Sequence, residues 1–260
     1  MGNSGNVDAL RRAGGRGLAQ IRALRAEMGY LRTAEGSVLL SQGDTRLLCA
    51  ATIERSVPPW MQAQGIPGGW ITAEYAMLPR ATHQRTPREV YRPKARSQEI
   101  RRLIGRSLRA AFRLELLPPV TCIVDCDVIQ ADGGTRTAAV TGGYLALLQA
   151  LHPLSMEGDL PASALLPAVA AISVGVVSGQ PLVDLDYAED SQAAADVNVV
   201  MNAAGAFIEV QGTAERGPLP KALFLELLAQ AEGAIRTLIE FQRQTLEDCG
   251  ITLTDGVWLG

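Results

Sequence analysis

The spacing of apolar and polar positions changes character several times along the chain, and each change predicts an element. Residues 29–40 and 45–54 have the apolar and β-branched density of strands, with Gly43-Asp44 as the turn between them. Over 120–130 the alternation is strict. Val120, Cys122, Val124, Cys126 and Val128 share one face, and Asp125 and Asp127 lie on the other. The period lengthens over 97–113, where Ile100, Leu103, Ile104, Leu108 and Ala111 make one helical stripe and Arg102, Arg106, Arg109 and Arg113 a second. Helices are also expected over 136–151 and 219–247, and strands over 169–177, 182–187, 195–201 and 206–210, the last two joined at Ala203-Ala204-Gly205. The Pro/Gly-rich 58–69 and the Arg/Pro-rich 79–94 read as loops. Strands first and a mixture of helices and strands later predict an α+β single domain over 12–248, between loose tails at 1–11 and 249–260.

Composition narrows the picture. With 260 residues, 47% of them apolar and 20% charged, the chain can bury a sizeable core, and wholesale disorder is excluded. Residues 161–183 carry no charge and are long enough to cross a bilayer. Pro161, Pro167, Gly175, Gly179 and Pro181 interrupt them, so the expectation is a short helix ending near Leu166 and then a buried strand, with no membrane partner. Four cysteines are too few for a disulfide scaffold, and the start of the chain has no apolar signal core; a cytoplasmic, reducing setting is expected. The net charge of −3 hides an asymmetry. Residues 1–113 hold 19 Lys and Arg against 8 Asp and Glu, and residues 114–260 hold 5 against 19. A balance of +11 beside −14 suggests a polyanionic partner or a charged subunit interface, against the plainer reading of solvated surface arginines.

Three constellations could carry chemistry. In 130–143 a strand ends, Gly133-Gly134 turns tightly, and Thr135-Arg136-Thr137 opens a helix. Exposed N–H groups, a hydroxyl and a guanidinium at a helix start suit a phosphate, but on local chemistry alone Thr135 as an N-cap ranks slightly ahead of phosphate binding. The glycine spacing fits neither a P-loop nor a dinucleotide fingerprint. The second constellation is acidic: Asp184, Asp186, Glu189, Asp190 and Asp196, with Asn198 nearby. If neighbouring strands bring Asp190 and Asp196 to one point, two carboxylates suit Mg²⁺ shared with water and a substrate phosphate; a solvated acidic turn is the competing reading. Zinc does not fit, because Cys122 and Cys126 face the core with no histidine partner. The third is basic: Arg80, Arg85, Arg88, Arg92, Lys94 and Arg96, with Trp60 and Tyr91 as possible stacking surfaces for bases, or else a subunit interface. No nucleophile motif is present.

Six segments, in order, closely resemble the ribonuclease PH family: AEGSVLL (34–40), WITAEYAMLPRATHQR (70–85), SQEIRRLIGRSLRA (97–110), VDCDVIQADGGTRTAAVTGGYLAL (124–147), DLDYAEDSQAAADVNVVM (184–201) and IEVQGTAE (208–215). The resemblance implies the ribonuclease PH fold (ribosomal protein S5 domain 2-like), with mixed sheets packed against helices. It implies a phosphate-dependent 3′–5′ exoribonuclease that trims tRNA precursors and releases nucleoside diphosphates. It further implies that Arg96, Gly134, Thr135 and Arg136 bind phosphate, and that Asp190 and Asp196 hold a divalent metal, Mg²⁺, with Asp196 also a candidate for proton transfer. Arg80, Arg85 and Arg88 match interface arginines of a homohexameric ring, a trimer of dimers, with a dimer as the fallback. The sequence departs from the family at Gly14-Gly15-Arg16, at Ile21-Arg22-Ala23-Leu24 and in the shortened segment 91–97. Two other classes compete: a non-catalytic RNA-binding ring subunit, which would lack the aspartates or the phosphate arginine, and a small-molecule phosphotransferase, which would need a nucleotide-phosphate loop.

Overall fold

A computed structural model describes residues 12–89 and 94–251; the proposed tail 1–11, Tyr91, Arg92 and all of the C-terminal tail after Ile251 lie outside them. The first sheet contains β1 (Leu24–Met28), β2 (Gly36–Gln42), β3 (Thr45–Glu54), β4 (Trp70–Met77) and β5 (Thr121–Gln130), in the order β1-β2-β3-β5-β4. Its pairs are antiparallel except β4 with β5, which α2 (Ala95–Arg109) links by a crossover. The second sheet, all antiparallel, orders β6 (Val169–Val177), β7 (Gln180–Val183), β8 (Ala195–Asn202) and β9 (Phe207–Ala214) as β7-β6-β8-β9.

The central helix α3 (Thr135–Glu157) touches β2 and β3 of one sheet and β6 of the other. It has no polar stripe because nearly every residue from Thr135 to Leu151 is buried. Small residues let the sheet come close. A Cβ at Gly142 would lie 2.9 Å from Cys49 Sγ, so even an alanine there would push the sheet away. The last helix, α5 (Lys221–Asp248), covers β6 and β7 with Leu227, Ala231, Ile235 and Leu238. One apolar cluster runs through both sheets.

The expected elements hold where periodicity is strong, as in β3, β5, β6 and β8, and differ where the backbone turns. A single strand over 29–40 is not formed. Gly29 sits at φ +65° and its N–H bonds the Ser37 carbonyl, so the chain turns there and pairs β1 with β2. The loop 58–69 contains the helix α1 (Pro59–Gln64), closed by Gly65 in the left-handed region. Strand β4 was not expected; only Ile71, Ala73 and Tyr75 of its eight residues are buried. The strand expected over 182–187 ends at Val183, because Asp184 adopts φ +57°; a short helix α4 (Tyr187–Asp190) follows, opened by a reciprocal capping box between Asp186 and Glu189. The uncharged 161–183 run is a short 3₁₀ turn, Ala162–Ala164, then β6, buried along its whole length. No helix among the described residues is long and apolar enough to cross a membrane.

Candidate phosphate and carboxylate site

Three segments form the site. The first is the turn between β5 and α3. Gly133 (φ +75°) and Gly134 (φ +64°) are both left-handed. Gly133 also admits no side chain: a Cβ would lie 2.4 Å from the Leu185 carbonyl oxygen, so the turn rests directly on the segment leading to α4. Gly134, not Thr135, is the N-cap of α3. The Thr135 hydroxyl is instead 2.8 Å from the Tyr75 phenol, while Thr137 Oγ1 donates to the Gly134 carbonyl at 2.9 Å.

The second segment is the start of α2. The helix begins at Ala95, two residues earlier than the pattern suggests, and this places Arg96 in its first turn rather than in a loop. Arg96, Glu99, Arg136, Asp196 and Gln211 line one cavity of about 610 Å³. Side chains from the first turns of α2 and α3 therefore share one space, with Asp196 on its wall; Gly134, Thr135 and Asp190 adjoin these residues but are not part of the lining. Arg136 Nη1 donates to Glu99 Oε1 at 3.0 Å and to Gln211 Oε1 at 3.2 Å. Gln211 Nε2 in turn donates to Glu209 Oε1 at 2.8 Å, and Glu209 accepts from Arg106 Nε at 2.8 Å. This chain of contacts ties α2, α3 and β9 around the guanidinium. Glu99 and Gln211 gave no separate signal in the sequence; they stand inside the 97–110 and 208–215 motifs, but only geometry brings them to Arg136.

The third segment is acidic, and the structure divides its five members. Arg12 holds Glu189 with two bonds, Nε to Oε1 at 2.7 Å and Nη2 to Oε2 at 2.8 Å. Arg16 lies 3.3 Å from Asp186 and 3.2 Å from Glu189. Arg22 holds Asp184 from its backbone N–H (2.7 Å), Nε (3.0 Å) and Nη2 (2.6 Å). These contacts correct the reading of a solvated acidic turn, and they partly account for the charge split: Arg12, Arg16, Arg22 and Arg106 of the basic half pair with carboxylates of the acidic half in the same chain. The arginines 12, 16 and 22 went unassigned from sequence because their partners lie more than 160 positions away.

Asp190, at the end of α4, and Asp196, at the start of β8, enter none of the ion pairs found among the described residues. Loss of solvent raises the pKa of Asp190, and the charges of Arg96 and Arg136 oppose the rise. Loss of solvent also raises that of Asp196; the charge of Asp190 adds to the effect and Arg136 opposes it. The two carboxylates and two guanidinium groups thus share one field. Arg80, Arg85 and Arg88 lie elsewhere, exposed on the loop after β4.

The Arg12–Glu189 pair gives a pH-dependent outcome. Burial alone would raise the Glu189 pKa, but the Arg12 bonds, the Asp186 N–H and the Arg16 charge hold it below the usual glutamate value of 4.5. A depressed carboxylate contributes stability that is fully present above its unfolded value and lost as pH falls through its folded one. Arg12→Met should therefore lower Tm at neutral pH, and its gap to the parent should narrow below about pH 4.5. Thermal unfolding followed from pH 7 to pH 3 tests this; a gap that stays constant would mean that Glu189 does not carry it.

Models described as the 3′ exoribonuclease family, domain 1 and domain 2, match residues 20–153 and 168–234, the break running from the last turn of α3 to just before β6. A protein from Moorella thermoacetica named Ribonuclease PH is 50% identical over 239 residues, which are 91% of this chain and 95% of that protein. Among solved structures, rice (Oryza sativa) Rrp46 superposes with a TM-score of 0.73 at 21% identity, covering 91% of this chain and 100% of that one. An Archaeoglobus fulgidus exosome chain, from a structure with RNA bound to the active site, does so at 0.72 and 22%, covering 89% and 92%. The last two likenesses concern the fold.

Proposed function

The chain belongs to the ribonuclease PH family of 3′ exoribonucleases and is a phosphorolytic 3′–5′ exoribonuclease, and we propose that it trims the 3′ ends of tRNA precursors with Arg96, Gly134, Thr135 and Arg136 holding the attacking phosphate. The observation that carries this site is that Arg96 and Arg136, from two different helix starts, line one cavity together with Asp196, while Asp190 lies within the field of both arginines. Inorganic phosphate attacks the last phosphodiester phosphorus, the bond to the 3′ oxygen of the preceding nucleotide breaks, and that oxygen leaves as a hydroxyl. The products are a nucleoside diphosphate and an RNA one nucleotide shorter. Arg96 and Arg136 orient the nucleophile and neutralise its charge, so that two anions can approach. Asp196, on the wall of the cavity beside Arg136, is placed to relay a proton from the attacking phosphate to the leaving oxygen. The direct experiment is product analysis on a tRNA with a short 3′ extension. Diphosphates formed only when phosphate is supplied support the reading, and monophosphates would overturn it.

Asp190 and Asp196 also fit a divalent cation. They are oxygen donors, and the charge of Asp190 raises the cost of ionising Asp196, which a bound cation would offset. Among the described residues no group of three or more His, Cys, Asp or Glu stands ready to hold a metal, so this pair would need water and substrate oxygens to complete the shell. Mg²⁺, which takes much of its shell from water and substrate phosphates, matches such a pair and would supply charge compensation at the scissile phosphoryl group. An acid whose folded pKa is raised costs stability at neutral pH, so Asp190→Asn and Asp196→Asn should fold at least as stably as the parent in metal-free buffer. Both should lose activity, and Mg²⁺ should raise Tm for the parent only. A parental Mg²⁺ response in either variant, read by thermal shift, removes that aspartate from the site.

The proposed assembly is a homo-oligomer, a hexameric ring. Support comes from the three exposed arginines, 80, 85 and 88, on one loop and from likeness to chains of exosome cores. Guanidinium groups suit partly buried intersubunit pairs. Light scattering should show a ring in the parent and dimers in an Arg80/Arg85/Arg88 triple-alanine variant; an unaltered ring in the variant excludes these residues from the interface.

A further inference from the structure

Tyr75 lies in the middle of β4, opposite Cys126 of β5, and is 2% exposed. A phenol that deep needs a hydrogen-bond partner, and it has one: Thr135 Oγ1 at 2.8 Å. Thr135 is the first residue of α3, the helix start assigned above to phosphate. The first turn contains two threonines in different states. Thr137 spends its proton on the Gly134 carbonyl, so its O–H is committed. Among the described residues Thr135 Oγ1 bonds no backbone carbonyl, and its partner is the phenol.

We propose that Tyr75 is a positioning residue for phosphorolysis: its phenol donates to Thr135 Oγ1 and so commits the threonine's own O–H to the incoming inorganic phosphate. The inference rests on the phosphate assignment above. Either oxygen could donate in isolation, but the two directions differ once an anion is present. If Thr135 donated to Tyr75, it would turn a lone pair toward a dianion. If Tyr75 donates, Thr135 presents hydrogen instead, and the two hydroxyls polarise each other in the same sense. Burial raises the phenol pKa, so its proton stays available for donation, although the Thr135 hydrogen bond and the charges of Arg96 and Arg136 act to lower it. Those two charges also place the phenol within the field of the phosphate site.

The test is a double-mutant cycle in the full-length protein, reading KM for inorganic phosphate, KM for RNA, kcat and Tm. Tyr75→Phe removes one oxygen and leaves no cavity larger than that. Losing one oriented hydrogen bond should raise the phosphate KM about 3- to 10-fold, with RNA KM and kcat at saturating phosphate little changed. Thr135→Val should raise the phosphate KM at least as much, and Thr135→Ser, which keeps the hydroxyl, should recover most of the phosphate affinity that Thr135→Val loses. The Tyr75→Phe/Thr135→Val double variant should be no worse than Thr135→Val alone, because the phenol acts only through that hydroxyl. Multiplying effects in the double variant, or a Tyr75→Phe effect on Tm and RNA KM with no change for phosphate, would make Tyr75 merely structural and overturn the inference. If Thr135→Val raises the phosphate KM and Tyr75→Phe does not, the inference alone fails. If Thr135→Val also leaves it unchanged, the phosphate assignment at this helix start fails with it.

Discussion

Arg136→Ala and Arg96→Ala should each lower kcat/KM for phosphate by about 10²- to 10³-fold, the loss typical of a preorganised charge-assisted donor in an active site. The two guanidinium groups lie on the first turns of α3 and α2, so helix backbone rather than loop fixes their spacing. Arg136 is held further by Glu99 and Gln211, which set its plane before any anion arrives. Neither substitution removes a buried contact on which the fold depends. The Arg136 partner, Glu99, has a side chain 39% exposed and can be solvated when the arginine is gone. Unfolding should therefore shift by under about 1 kcal/mol in both variants. Arg136→Lys should recover only part of the rate, because an ammonium group keeps the charge but loses the planar fork. Initial rates over a phosphate titration, at saturating RNA, make the measurement. Parental rates at limiting phosphate in both alanine variants would show that these arginines do not hold the nucleophile.

What could be read from the sequence was what short-range pattern encodes. The strict alternation of 120–130 gave the faces of β5 correctly, with the cysteines buried and Asp125 and Asp127 toward solvent. The uninterrupted apolar run gave β6 with its ends in place. β1 was missed because it is a sheet-edge strand with no fully buried residue, so its apolar positions are diluted. The break after Val183 was missed for a different reason. Asp184 is a non-glycine residue in the left-handed region, and tertiary contacts that no local pattern records hold it there. The arginines that absorb the acidic cluster follow the same rule. Arg96, Arg136, Asp190 and Asp196 could be singled out by chemistry and family likeness, but Glu99, Gln211 and Tyr75 emerge only when α2, β4 and β9 are brought together in space.

Arg22→Met should be the most destabilising of the substitutions considered, and the reason is the carboxylate it leaves behind. Asp184 is fully buried, and Arg22 supplies three of its hydrogen bonds; Gln42 Nε2 supplies another at 2.8 Å. The methionine variant keeps the backbone N–H but removes the charge. Stripping the partner from a buried ion typically costs about 3–5 kcal/mol. For a chain of this size that corresponds to a fall in Tm on the order of 10 °C. The same guanidinium donates to the Asp132 carbonyl and, at 3.4 Å, to that of Gly133, in the turn that presents Thr135 and Arg136. Arg22→Met should therefore also weaken phosphate use in whatever fraction remains folded. The second variant needed is Arg22→Met/Asp184→Asn. Asparagine accepts the left-handed backbone that Asp184 occupies, and it brings no buried charge. Removing both members of a buried pair is far cheaper than removing one, so the double variant should be more stable than Arg22→Met alone. Urea or thermal unfolding of the parent, both single variants and the double variant measures the coupling. If the double variant loses as much stability as the two single ones added together, the uncompensated charge is not what the arginine relieves.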